Sequence, residues 1–156
     1  MLPAESWDMI RARQRRATLP KRASELIDKR EKQYQAFGEF LGRFVTDLNH
    51  LAEEGWAILV EGQRDAKALR KLGFVGNLAT ISSVGTTKGS PFDSLKKVVI
   101  LTDLDREGAV LAARYVKRLS HEGFRTSLRE RLRLKNASHG VFLHVENLSR
   151  FAQEGA

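Results

Sequence analysis

The sequence predicts an α/β fold: a mostly parallel central sheet flanked by helices, with an N-terminal helical extension. Three observations predict it. Continuous apolar runs, "WAILV" and "KVVIL", alternate with helical patterns, as strands buried on both faces do. Both runs end in acids, which puts polar groups at the carboxyl edge of a sheet, where ligands of such folds sit. The first fifty residues show no strand-like alternation and instead carry a helical stripe.

The elements follow in order. A short basic helix is expected over Glu5–Ala17. A long one begins after Pro20 and stops at Gly55, a glycine at the C′ position. Its stripe is Phe37, Phe40, Leu41, Phe44, Val45, Leu48 and Leu51, at three- and four-residue steps. "WAILVE" reads as a strand and "DAKALRKLG" as a helix capped by Asp65 and ended by Gly73. "NLATIS" is a second strand and "SVGTTKGSPFDS" a loop. "KVVILTD" is the third strand. "REGAVLAARYVKRLSHEG" is a helix whose inner face is Leu111, Ala112, Tyr115, Val116 and Leu119. "FRTSLRERL" and "GVFLHVEN" read as two further strands. The expected organisation is an extension over 1–54, the α/β domain over 55–150 and a tail over 151–156.

With 156 residues the chain suffices for one domain with a sizeable core. It has no cysteine, which excludes disulfides and cysteine-held zinc or iron–sulfur sites and fits a cytoplasmic protein. No segment has the roughly 20 consecutive apolar residues of a membrane span, and the N-terminus has no apolar secretory core. A formal charge of +8 and a pI near 10.1 favour a polyanionic partner, nucleic acid above a membrane surface. The cations cluster in "RARQRRATLPKR", which contains Arg11, Arg13, Arg15 and Arg16, and in "RTSLRERLRLK".

The acids carry the chemistry. Ile58–Leu59–Val60 leads into Glu61, and Val98 to Leu101 leads into Asp103 and Asp105. If the two strands are parallel neighbours, three carboxylates converge on one edge and raise one another's pKa. A divalent cation relieves that repulsion, and hard oxygen ligands suit magnesium. Taken singly, Asp105 also reads as the N-cap of the helix starting at Arg106. The four histidines show no metal-ligand spacing, although His144 and the neighbouring Glu146 fall in the last predicted strand.

"ILVEGQRDAKALRKLG" followed by "VVILTDLDREGAVLAARYVKRL" resembles the Toprim domain of topoisomerases, bacterial-type primases, recombination-repair proteins and small primase-like nucleases. The resemblance covers about Trp56 to Gly123 and implies a Rossmann-like arrangement. It implies proton transfer by Glu61 and magnesium, or manganese in its place, held by Asp103 and Asp105. "DLDREG" is similar to the type IA topoisomerase version, which adds Glu107 as a third acid. With only Tyr34 and Tyr115, both in predicted helices, the chain lacks a topoisomerase's tyrosine domain. It also lacks the zinc-finger cysteines of recombination-repair members. What remains resembles the ribosomal-RNA maturation nucleases, which favours RNA over DNA and a magnesium-dependent hydrolysis of phosphodiesters. In that reading Arg106 at a helix N-terminus and Lys88 in the Gly/Ser/Thr loop contact phosphate oxygens. The alternative is a non-catalytic nucleic-acid-binding adaptor, with the N-terminal helices meeting protein partners.

Overall fold

The computed structural model describes residues 13–14, 19–84 and 96–152. The chain divides into two compact units, Met1–Ala36 and Phe37–Ala156. In the first, the described residues from Lys21 onward are helical and largely exposed, Leu26 and Tyr34 included. The expected basic helix over Glu5–Ala17 and the loop over 83–94 lie outside the described residues, apart from Arg13 and Gln14 and the loop's first two residues, Ser83 and Val84, all four helical.

Helix α1 (Lys21–Glu53) starts directly after Pro20 and ends before Gly55, whose φ of 95° is left-handed. It is followed by β1 (Trp56–Val60), α2 (Gln63–Lys71), β2 (Leu78–Thr80) and the single turn α3 (Ile81–Val84). Then come β3 (Lys97–Ile100), α4 (Arg106–His121), β4 (Arg125–Ser127), α5 (Arg129–Ser138) and a 3₁₀ helix over Val145–Phe151. The four strands form one parallel sheet in the order β2-β1-β3-β4.

Alternation along the strands divides the core. Trp56, Ile58, Val60, Val99 and Leu101 face one layer, with Phe37, Leu41, Phe44 and Leu48 of α1, Leu69 of α2 and Leu134 of α5. Ala57, Leu59, Val98 and Ile100 face the other, against Ala112, Tyr115 and Leu119 of α4. Both faces are covered, so the strands read as unbroken apolar runs. Helices α2 and α4 end alike. Phe74 N–H reaches Leu69 O (3.0 Å) and Phe124 N–H reaches Leu119 O (2.9 Å), around Gly73 (φ 102°) and Gly123 (φ 93°). This is the Schellman closure, which needs a left-handed residue at C′.

Three expectations are corrected. In "FRTSLRERL" the strand is short, Arg125–Ser127, and the remainder opens α5. "GVFLHVEN" forms no strand: it is irregular up to His144 and then enters the 3₁₀ helix. Asp65 is the third residue of α2, not its N-cap; Gly62 holds the cap, and its N–H donates to Asp65 Oδ2 (3.1 Å).

The C-terminal segment is fixed by aromatic packing. Phe142 stacks on Phe37 with centroids 4.9 Å apart, and Phe151 meets both rings edge-on at 5.1 Å. Such pairs each contribute about 0.5–1.5 kcal/mol beyond burial. Two residues beyond Phe142, this anchoring presents His144 to the sheet edge.

Candidate metal centre

Strand register delivers the acids. Strand β1 pairs with β3 from Trp56↔Lys97 to Leu59↔Ile100, and Leu101 N–H still reaches Leu59 O (2.8 Å). The chains therefore leave the sheet side by side, and Asp103 N–H donates to Glu61 Oε1 (3.1 Å). Asp103 Oδ1 accepts from the N–H of Val145 (2.8 Å), while Oδ2 faces His144 Nδ1 at 3.3 Å. Asp105 caps α4, its Oδ1 accepting from Gly108 N–H (2.7 Å), with Oδ2 3.8 Å from the same His144 nitrogen. Each aspartate thus fixes one oxygen on a main-chain N–H and turns the other toward a shared point.

The loop between these aspartates is held from beneath. Thr102 Oγ1 donates to Gly108 O (2.7 Å), and a Cβ at Gly108 would collide with the carbonyl oxygen of Asp103. Only glycine lets α4 start that close to the loop. Arg131, on α5 and 9% exposed, donates through Nε to Thr102 Oγ1 (3.1 Å) and through a terminal nitrogen to Asp103 O (2.7 Å). Its guanidinium is a buried cation under three carboxylates. Burial lowers its pKa, and Asp105, Glu61 and Asp103 pull it back up.

The electrostatics follow from this crowding. Burial raises the carboxyl of Glu61 above its ordinary value; the N–H of Asp103 counters that, and the charges of Asp103, Asp65 and Asp105 add to it. Asp65 is raised for the same first reason, with Asp103 next. The imidazole of His144 is raised chiefly by its hydrogen bond to Asp103.

The donor set fits a divalent cation. One ligand atom each of Asp103, Asp105 and His144 lies within 4.8 Å of the others. Two carboxylate oxygens suit hard cations, and an imidazole nitrogen extends the range toward manganese.

Of the residues singled out from sequence, Glu61, Asp103 and Asp105 come together. Glu107 sits exposed in the first turn of α4 and is outside the grouping; Arg106, before it, is exposed at the same helix start. Arg13 is exposed in the first unit. Arg11, Arg15, Arg16 and Lys88 lie outside the described residues. Sequence reasoning missed Arg131, whose "RERLRLK" context carries no sign of burial, and noted His144 without a ligand spacing to support it.

A parallel sheet whose β1 ends in Glu61 and whose β3 ends in Asp103-x-Asp105 defines a Toprim domain, and the Toprim domain family matches residues 56–130. The chain belongs to the UPF0292 family of Toprim-like proteins. It is 31% identical to the UPF0292 protein of Methanosarcina barkeri over 118 residues, covering 74% of this chain and 82% of the relative. It is 34% identical to that of Pyrococcus abyssi over 106 residues, covering 67% and 80%. A solved protein from Aquifex aeolicus is 27% identical with a TM-score of 0.54, covering 67% of this chain and 94% of the other. The Toprim domain implies a metal-dependent, nucleic-acid-related function. Among the described residues no helix is long and apolar enough to cross a membrane.

Proposed function

We propose that this chain is a magnesium-dependent nuclease that hydrolyses phosphodiesters in the cytoplasm, acting on RNA in preference to DNA. The observation that carries the reading is the convergence of Glu61 on the Asp103–Asp105 pair at one sheet edge. Three acids held together repel one another even with Arg131 beneath them and the His144 imidazole beside them, so their convergence calls for a chemical use.

Asp103, Asp105 and His144 would hold the metal, which supplies neutralisation of the phosphate charge and activation of water. Glu61 handles the proton. One of its oxygens is fixed by Asp103 N–H, the other makes no hydrogen bond among the described residues, and its raised pKa brings it nearer neutral pH, where proton exchange is most effective. Arg131 holds the Thr102 hydroxyl and the Asp103 carbonyl in place from the protein side. Arg106, exposed at the start of α4, is placed for a phosphate oxygen.

The test is cleavage of end-labelled structured RNA, single-stranded DNA and duplex DNA in magnesium, manganese or EDTA, with Glu61→Gln and Asp103→Asn beside the native chain. Metal-dependent cutting lost in both variants supports the nuclease. Binding without cutting, unaffected by either substitution, replaces it with the adaptor.

A further inference from the structure

Helix α2 has a face that the metal centre does not use. Its sequence, "QRDAKALRK", carries four cations. Arg70 is committed: its guanidinium donates to Phe74 O (3.1 Å) and lies 5.6 Å from the ring centroid of Phe74. Arg64, Lys67 and Lys71 are exposed and make no ion pair among the described residues. They stand at i, i+3 and i+7, a single stripe of the helix. Together they line a groove of about 310 Å³ between α2 and the 3₁₀ helix, with Asn147, Ser149 and the acid Glu146 opposite.

The position of this groove gives the stripe its meaning. Arg64 is three residues beyond Glu61, and Glu146 is two beyond His144. Asp65, between Arg64 and the core, feels the charges of both Asp103 and Glu146. The groove therefore opens beside the metal centre and runs along α2 away from it. From Arg64 to Lys71 the helix rises about 10 Å. That length covers about three steps between consecutive phosphates at the roughly 3.4 Å axial spacing of a stacked strand. Three flexible cations outnumber the single carboxylate of Glu146 across the groove, and with an amide and a hydroxyl beside it they suit a phosphate backbone read without regard to sequence.

We propose that Arg64, Lys67 and Lys71 form a phosphate track on α2 that holds one strand of nucleic acid leading from the Asp103–Asp105–His144 centre. This deepens the reading under Proposed function and rests on it for the class of partner. It locates the contact on residues outside the two basic clusters of the sequence. The track binds backbone charge, so it acts with or without metal.

The experiment is a salt titration. Binding of fluorescein-labelled single-stranded RNA is followed by anisotropy in EDTA, which prevents hydrolysis, across a series of KCl concentrations. Native chain is compared with Lys67→Gln, with the triple variant Arg64→Gln/Lys67→Gln/Lys71→Gln, and with the control Arg114→Gln/Lys117→Gln, which removes two exposed charges from α4. All substituted side chains are exposed, and melting curves confirm that each variant folds. The slope of log K against log salt becomes shallower by about 0.7 for the single variant and about 2 for the triple variant. The control keeps the native slope. Native slopes in the track variants of a chain that binds RNA overturn the track while leaving the nuclease reading intact. A native chain that binds no nucleic acid overturns the nucleic-acid reading itself. Binding of polyglutamate as tight as that of RNA, lost in the triple variant, reassigns the track to an acidic protein.

Discussion

Asp103 and Val145, 42 residues apart, are joined by a 2.8 Å hydrogen bond from the Val145 N–H to Asp103 Oδ1. Val145 is 1% exposed, so its N–H has no access to water if Asp103 is truncated. One carboxylate both closes the C-terminal segment onto the sheet and faces the proposed metal. Asp103→Ala is expected to destabilise the metal-free protein by about 1–3 kcal/mol, the cost of a buried donor left unpaired. Asp103→Asn keeps an acceptor oxygen and stays within about 1 kcal/mol of native by the same reasoning. Chemical denaturation in EDTA separates the two. Equal stability of Asp103→Ala and the native chain would remove the clamp from the account.

Asp105 has a different second duty. As N-cap of α4 it satisfies Gly108 N–H. Asparagine caps a helix about as well as aspartate, whereas alanine costs about 1 kcal/mol. Asp105→Asn should therefore melt like the native protein without metal, and Asp105→Ala should melt a few degrees lower. Thermal melts in EDTA check the order.

Gly108→Ala brings a methyl group against the Asp103 carbonyl oxygen. The backbone of the loop has to move, at a cost of about 1–3 kcal/mol or more, typical of overpacking. Because the displaced residue is a proposed ligand, metal affinity is expected to fall with stability. A Gly108→Ala protein with native stability and native metal affinity would contradict the close packing of α4 on the loop.

The raised carboxyl of Glu61 gives a pH dependence with a definite sign. A folded-state pKa above the unfolded value means that the folded protein holds the proton longer. Stability from this group is then fullest below its ordinary value of 4.5 and declines as pH rises through the raised value. Glu61→Gln keeps the acceptor for Asp103 N–H and removes the charge. At neutral pH without metal it should be more stable than native by about 0.5 kcal/mol, after allowance for solvent screening. The advantage disappears on acidification below the ordinary glutamate range. Melting curves across pH in EDTA test this; an advantage that grows on acidification has the wrong sign.

His144 contributes the one nitrogen in the group. Nitrogen ligands favour manganese over magnesium. Loss of the imidazole in His144→Ala should weaken Mn²⁺ binding about tenfold, roughly 1.4 kcal/mol, and weaken Mg²⁺ binding less. Competition titrations of the two ions read the difference. Equal losses for both would make the histidine a neighbour of the site instead of a ligand.

The parts of the fold legible from sequence are those whose burial is apolar. Strands β1 and β3, the core-facing stripe of α1 and the inner face of α4 bury aliphatic and aromatic residues at regular spacing, and Glu61, Asp103 and Asp105 are placed by the strands they follow. Helix α5 was hidden for the opposite reason. Its buried positions are Glu130, Arg131, Leu134 and Ser138, a helical spacing, yet three of the four are polar. Glu130 accepts from Ser127 Oγ (2.7 Å), and Arg131 is bound to Thr102 and Asp103. Hydrogen bonding replaces hydrophobicity there, and the visible alternation of "RLRL" points to a strand. The segment "GVFLHVEN" misleads similarly. Its backbone is taken up by the site, through Leu104 N–H to Leu143 O (2.6 Å) and Val145 N–H to Asp103, so no ladder forms. That pairing is set by tertiary contact, and local sequence carries no record of it.

The most direct test of the central claim is calorimetric titration of the native chain with Mn²⁺ at neutral pH, beside Asp103→Asn and Asp105→Asn. Both variants keep a side-chain oxygen to accept from the N–H of Val145 or Gly108, so they isolate the loss of a carboxylate charge from loss of structure. Saturable binding by the native chain, abolished or strongly weakened in each variant while its melting temperature stays near native, is the predicted result. Native binding that persists unchanged in both variants would place the metal elsewhere and contradict the assignment of the Asp103–Asp105–His144 centre.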